Sequence, residues 1–175
     1  MRIIAGSRKG HRIAAPRGET TRPTGDRIRE AAFNLAGPVD DAVVLDLFAG
    51  SGAMGMEALS RGAARATFVE SDRDACRAIN TNLDKLRLTG ARVACQDALR
   101  FLATERGPYD LILVDPPYDL VESLGVPLSS HLPRLLAPTG LVVYETSSRQ
   151  EPELDGLALR TSRRYGNVRL TLFEP

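Results

Sequence analysis

The chain has 175 residues, 43% of them hydrophobic and 26% charged, which is enough for one well-buried α/β domain and too few for two of ordinary size. Its formal net charge of +1 conceals a strong asymmetry: residues 1–30 carry +5, residues 31–159 carry −7 and residues 160–175 carry +3, a pattern expected of a polyanion held at the edges of an acidic centre. No apolar run reaches spanning length and no signal-peptide core follows Arg2 and Arg8, so membrane and secreted classes are set aside and a cytoplasmic location is expected.

The opening residues Arg2 to Gly6 and His11 to Ala14 read as two short strands joined by a basic turn at Ser7 to Gly10, an exposed hairpin presenting Arg8, Lys9 and Arg12. Residues 1–20 are therefore expected to form a basic extension and residues 21–175 the main domain. Thr24 or Asp26 next caps a helix whose apolar face is Ile28, Ala31, Ala32 and Leu35, whose other face shows Arg27 and Arg29, and which Gly37-Pro38 stops.

From Ala42 onward strand and helix patterns alternate: strand Ala42 to Phe48, helix Ala53 to Ser60, strand Ala66 to Glu70, helix Asp72 to Leu88, strand Arg92 to Cys95, short helix Ala98 to Ala103. The series continues with strand Tyr109 to Val114, a proline-broken helix Val121 to Leu136 and strand Leu141 to Glu145. Leu157 to Arg163 and Val168 to Phe173 then flank a Tyr165-Gly166-Asn167 turn, as in a hairpin. Apolar strands alternating with helices predict a doubly wound, mostly parallel seven-stranded sheet of the Rossmann-like kind, closed by a C-terminal antiparallel hairpin. Cys76 and Cys95 sit in no metal-ligand spacing, and structural roles are expected for both.

Ligands of such sheets bind at the carboxyl ends of the strands, so those ends are read for chemistry. Asp46 to Gly52 ends the first strand, and its glycines let the backbone approach a ligand that a Cβ would repel. Gly50, Gly52 and Gly55 also satisfy the spacing of nicotinamide-dinucleotide binders. Asp46 weighs against that alternative, because a carboxylate there welcomes a cationic amino-acid group and repels a pyrophosphate. Glu70 is placed to accept from a ribose diol, and Asp97 with Ala98 to meet an adenine amino group, although Asp97 serves equally as a helix cap.

Asp115-Pro116-Pro117-Tyr118 follows the Tyr109 to Val114 strand directly. The prolines pin the backbone, so the Asp115 carboxylate and the Pro116 carbonyl become fixed acceptors, and Tyr118 offers a stacking face. An exocyclic amine on a base is a poor nucleophile because its lone pair is delocalised into the ring. Two acceptors gripping its hydrogens help to localise that pair.

On these motifs the chain resembles class I S-adenosylmethionine-dependent methyltransferases carrying an Asp/Asn-Pro-Pro-Tyr/Phe motif. More narrowly it is similar to the bacterial 16S rRNA guanine-N2 methyltransferases of the RsmD type. The narrow match rests on Met1 to Gly6, Arg22 to Asn34, Leu45 to Gly52, Asp115 to Tyr118 and Arg164-Tyr165-Gly166; Gly25 stands where many relatives would carry a second Thr. The resemblance implies that Asp46, Phe48, Ala49, Gly50, Ser51 and Gly52 hold the methionine part of the cofactor, Glu70 its ribose, and Asp97 and Ala98 its adenine. It further implies that Arg22 and Thr24 lie beside the cofactor, that Asp115, Pro116 and Tyr118 receive the guanine, and that Arg8, Lys9, Arg12 and Arg27 touch RNA. It implies as well 16S rRNA in an assembled or assembling 30S particle as substrate; a monomer is the default expectation, and in-line methyl transfer requires no metal. The competing readings are a DNA or protein-glutamine amino methyltransferase of the same fold, a nicotinamide-dependent oxidoreductase and a non-catalytic RNA-binding module. Cofactor affinity and substrate competition discriminate among them.

Overall fold

The computed structural model describes residues 1–14 and 25–175. Its helices are α1 (Asp26–Ala36), α2 (Ala53–Ser60), α3 (Arg73–Leu86), α4 (Ala98–Thr104) and α5 (Val121–Leu135). Its strands are β1 (Val43–Leu47), β2 (Arg65–Glu70), β3 (Ala91–Cys95), β4 (Tyr109–Val114), β5 (Leu136–Ser147), β6 (Ala158–Tyr165) and β7 (Val168–Glu174). The strands form one seven-stranded sheet in the order β3-β2-β1-β4-β5-β7-β6, parallel except at β7, which runs antiparallel to both of its neighbours. This is the expected doubly wound sheet with its terminal hairpin, the fold of class I methyltransferases.

Alternation along the central strands sends side chains to two cores. Val44, Phe68, Leu111, Leu113 and Val143 join Phe33, Met56 and Ile79 on the α1, α2 and α3 face. Leu45, Leu47, Val69, Ile112 and Val142 join Phe101, Leu128 and Leu132 on the α4 and α5 face. Each such side chain, fully buried, contributes roughly 1.5–3 kcal/mol of transfer free energy, so both faces commit the sheet to its register.

Three boundaries differ from the sequence reading, each for a physical reason. The helix from Val121 is continuous, carrying Pro127 and Pro133 within it, because its buried stripe Val121, Leu124, Leu128, Leu132 and Leu135 holds it on the sheet despite two missing amide donors. The strand expected from Leu141 begins at Leu136, which pairs with Tyr109 of β4, and runs to Ser147, where pairing with β7 extends it beyond the apolar run. Asp26 is the first residue of α1, not its cap, which is Gly25.

The N-terminal segment pairs antiparallel about a single Arg2–Arg12 bridge, with Ile3 N–H donating to His11 O and Ile13 N–H to Met1 O, and a 3-10 turn at Gly6–Arg8. It is not a free arm: Ile3 and Ile13 are buried in the α1–α3 core. Arg29, expected on the outer face of α1, is likewise fully buried. Its Nε lies 3.6 Å from Glu57, and its Nη2 donates to both Arg2 O and Asp26 Oδ1. Glu57 also accepts from the amides of Ile4 and Ala5 and pairs with Arg61, so one buried carboxylate fastens the N-terminal segment to α1 and α2. The sequence reading missed this because a charged residue at an outward position is ordinarily solvated. Here an element adjacent in space, not in sequence, covers it.

Candidate cofactor and acceptor cleft

Where the chain turns back from β3 to β4, strands diverge on either side of β1, and a cleft opens at the carboxyl ends, as the switch-point rule requires. It encloses about 790 Å³, within the range of sites that bury a small organic ligand.

Its floor is the turn after β1. Phe48 has φ +60°, Gly50 +52° and Gly52 +74°, three left-handed residues within five positions. A Cβ at Gly52 would lie 2.9 Å from the Ile79 side chain, so only glycine makes that turn against α3. Phe48 adopts the same region without that freedom, a strain of order 1 kcal/mol for an L-residue. At Gly55, a Cβ would fall 2.3 Å from the Phe68 ring. The third glycine of the spacing therefore serves close packing of α2 on the sheet, a role it would have for any ligand.

Each carboxylate of this half is held by backbone amides. Asp46, 1% exposed, accepts from Gly55 N–H at 2.8 Å. Burial holds its carboxyl well above the ordinary aspartate range; the Gly55 amide opposes the shift, and the charges of Asp115 and Glu70 add to it. Glu70 accepts from Gly50 N–H and Asp72 N–H, both at 2.8 Å, which couples the ends of β1 and β2. Asp97 accepts from Arg100 N–H at 2.9 Å and thus caps α4, and it lines the cleft as well. Ala98 follows it in the wall, and Ala49 and Ser51 complete the floor, with Ser51 Oγ 3.4 Å from the Met1 sulfur.

The opposite wall comes from β4 and β5. Asp115, Pro116 and Tyr118 line it together with Glu145, Tyr165 and Asn167. Asp115 N–H reaches Leu47 O, which sets the Asp-Pro-Pro-Tyr turn beside the β1 turn. Gln150 Nε2 donates to Tyr118 O at 3.0 Å, and Ser148 N–H to Asn167 O at 2.9 Å, so the loop after β5 ties that turn to the β6–β7 hairpin.

Sequence reasoning missed Glu145, Gln150, Tyr165 and Asn167 as site residues. The strand-end rule could have flagged Glu145; nothing local marks the others. Met1 and Ile28 also reach the cleft, brought there by the N-terminal segment and α1. Arg22 and Thr24 lie outside the described residues. Of the residues expected to meet RNA, Lys9, Arg12 and Arg27 are exposed, whereas Arg8 closes the C-terminus of α3, donating through Nε to Leu86 O and through a terminal nitrogen to Arg87 O. Cys76 is buried, donates its thiol to Glu70 O and is pushed up to about 12 by burial, as befits a structural cysteine; Cys95 is exposed.

The described lining contains six carboxylates, at Asp46, Glu70, Asp72, Asp97, Asp115 and Glu145, and no Lys or Arg. Such a wall repels the pyrophosphate of a dinucleotide and suits a cationic ligand. S-adenosylmethionine carries a sulfonium and an ammonium, so the acidic residues present fit it.

Residues 1–174 match the protein family described as Conserved hypothetical protein 95. The chain is 46% identical over 119 residues to ribosomal RNA small subunit methyltransferase D of Escherichia coli (strain K12), covering 67% of this chain and 60% of that protein. To the protein of the same name in Haemophilus influenzae it is 37% identical over 153 residues, 83% of this chain and 78% of the relative. A hypothetical protein of Thermus thermophilus superposes with a TM-score of 0.86 at 32% identity, over 100% of this chain and 99% of that one. The glycine turn, the acidic cleft and the sheet order are thus accounted for together: the chain belongs to the Conserved hypothetical protein 95 family, class I S-adenosylmethionine-dependent methyltransferases that include ribosomal RNA small subunit methyltransferase D.

Proposed function

We propose that the protein methylates the exocyclic N2 amine of a guanine in 16S ribosomal RNA, acting as a monomer on an assembled or assembling 30S particle. One observation carries the reading: an acidic, cation-suited cleft shares a wall with the Asp115-Pro116-Pro117-Tyr118 turn, in a chain whose named relatives are small-subunit ribosomal RNA methyltransferases.

S-adenosylmethionine, when bound, supplies a methyl carbon made electrophilic by its sulfonium. The chain's own residues do the rest by positioning. Asp115 and the Pro116 carbonyl accept the two hydrogens of the amine, which localises its lone pair and aims it along the line of attack. Tyr118 stacks on the base, which must leave its own stack to enter, at least cost from an unpaired loop. As the N–C bond formed and the methyl's bond to sulfur broke, leaving a neutral thioether, the amine would release one proton, which Asp115 would take and pass to water. Lys9, Arg12 and Arg27 hold flanking phosphates, and the resulting affinity falls with salt.

The test is transfer of labelled methyl to small-subunit particles lacking their own rRNA methylation, followed by nucleoside mapping. Label in N2-methylguanosine is the expected result. Label on DNA or on a protein glutamine instead would leave the fold standing and overturn the substrate.

A further inference from the structure

The excess positive charge at the C-terminal end has no part in the chemistry above, yet the fold delivers it to the mouth of the cleft. Strand β6 is the outer edge of the sheet, and it runs toward the cleft, ending at Tyr165, which lines it. Arg163 and Arg164, the two residues before Tyr165, are exposed. The loop after β5 approaches the same corner. Through Gln150 it grips Tyr118 O, through Ser148 it grips Asn167 O, and between these two residues stands Arg149, exposed and making no ion pair among the described residues. Glu151 joins the loop to the strand, 3.7 Å from Arg164 and 2.7 Å from Arg169. Arg169 is 5% exposed, so its charge is committed to Glu151, and the acid of the patch is already neutralised.

Resting on the reading of the protein as an RNA methyltransferase, we propose that Arg149, Arg163 and Arg164 form a clamp for the phosphate backbone of the RNA strand beside the target nucleotide. The argument is one of placement. The wall that receives the base is built from Tyr118, Tyr165 and Asn167, and the three guanidiniums sit on the two segments that hold that wall. A strand whose base enters past Tyr118 carries its neighbouring phosphates over this corner, because consecutive phosphates lie only a few ångströms apart. A guanidinium meets a phosphate through two parallel donors, which fixes its register as well as its affinity.

Arginines on an edge strand also discourage edge-to-edge pairing, and that role makes a different prediction. It would be served by Arg160, which lies on the same strand toward the far end and pairs with Glu174. It would not involve Arg149, which is on the loop.

The deciding experiment uses the full-length protein and small-subunit particles. In the triple variant Arg149→Ala, Arg163→Ala, Arg164→Ala, KM for the particle should rise about tenfold or more, and the log–log dependence on salt should become shallower by about 2, near 0.7 per lost single-strand phosphate contact. S-adenosylhomocysteine affinity should stay within twofold. Lysine at the three positions should restore most of the affinity, and Arg160→Ala should leave KM unchanged. If the triple variant self-associates, Arg149→Ala alone reads the clamp, with a KM increase of about threefold expected. Wild-type KM and salt slope in the alanine variants, with the wild-type enzyme active, would overturn the clamp and leave the methyltransferase reading intact. A wild-type enzyme that transfers no methyl to RNA would overturn the underlying reading and the clamp with it.

Discussion

On the side of the cleft built by β1, β2 and β3, every carboxylate is braced by backbone amides of its own half: Asp46 by Gly55, Glu70 by Gly50 and Asp72, Asp97 by Arg100. On the side built by β4 and β5, the Asp115–Tyr118 turn leans on a more distant segment, with Gln150 holding Tyr118 O across 32 residues of chain. The first half is assembled from successive βα units. The second is a wall whose shape depends on the antiparallel hairpin tied behind it.

The sharpest test of this division is Asp115→Ala. Transfer should fall by about a thousandfold or more, the scale of losing a positioned acceptor and proton relay, while S-adenosylhomocysteine binding measured calorimetrically stays within about threefold. Lost cofactor affinity with retained turnover would assign Asp115 to the wrong half.

Asp46→Asn addresses the other half. Cofactor affinity should drop by about ten- to a hundredfold, or roughly 1.4 kcal/mol per factor of ten, with the Gly55 hydrogen bond kept by the amide oxygen. The wild-type protein adds a signature in pH. Because burial raises the Asp46 carboxyl and a cationic ligand favours its ionised form, binding releases a proton, and affinity climbs with pH until Asp46 is ionised in the free protein. The sign for stability is opposite. Between the ordinary carboxylate range and the raised value, the native state binds more protons than the unfolded one, so this group's contribution is present at low pH and is lost as pH rises through its folded value. In Asp46→Asn both dependences should flatten; a binding curve with unchanged pH dependence would remove Asp46 from the cofactor's surroundings.

A smaller effect is expected for Gln150→Ala, which releases the acceptor wall without touching substrate. Turnover should decrease about tenfold, since small misplacements at a reacting centre cost one to two orders of magnitude, and cofactor binding should not change. Equal losses in both would mean that the halves are not separable. Arg8→Ala should have the mildest consequence, a loss of about 1 kcal/mol of stability seen in denaturant titration, from the capping of α3. RNA affinity unaltered beyond that would separate Arg8 from Lys9 and Arg12. Deleting the whole N-terminal segment is a poorer probe, because it removes the core residues Ile3 and Ile13 along with the charges.

Much of the molecule could be read directly. Short, mainly apolar central strands alternating with helices carry their own signal, so Ala53–Ser60 and Tyr109–Val114 fall where the pattern puts them. The turns at the strand ends were legible too: glycines after β1 admit the left-handed backbone that the turn needs, and the prolines after β4 fix φ. Legibility ended where a residue's meaning depends on a partner remote in sequence. Arg29 reads as a solvated helix charge and proves to be a buried pair with Glu57, and Arg8 reads as a phosphate contact and proves to close α3. Tyr165 and Asn167 read as hairpin and prove to line the cleft, and Gln150 reads as loop and proves to hold Tyr118 O.

The sequence by itself thus determined the class of fold, the strand ends that would meet and the chemical character of the cofactor side, because periodicity and backbone-restricting residues act within a few positions of themselves. Only the tertiary structure decided which charges are buried, which half of the cleft is braced by distant chain, and where the terminal arginines lie relative to the acceptor turn. Those properties arise when the antiparallel β7 brings β6 to the sheet edge and the N-terminal segment onto α1 and α2, and long-range packing leaves no local pattern from which to foresee it.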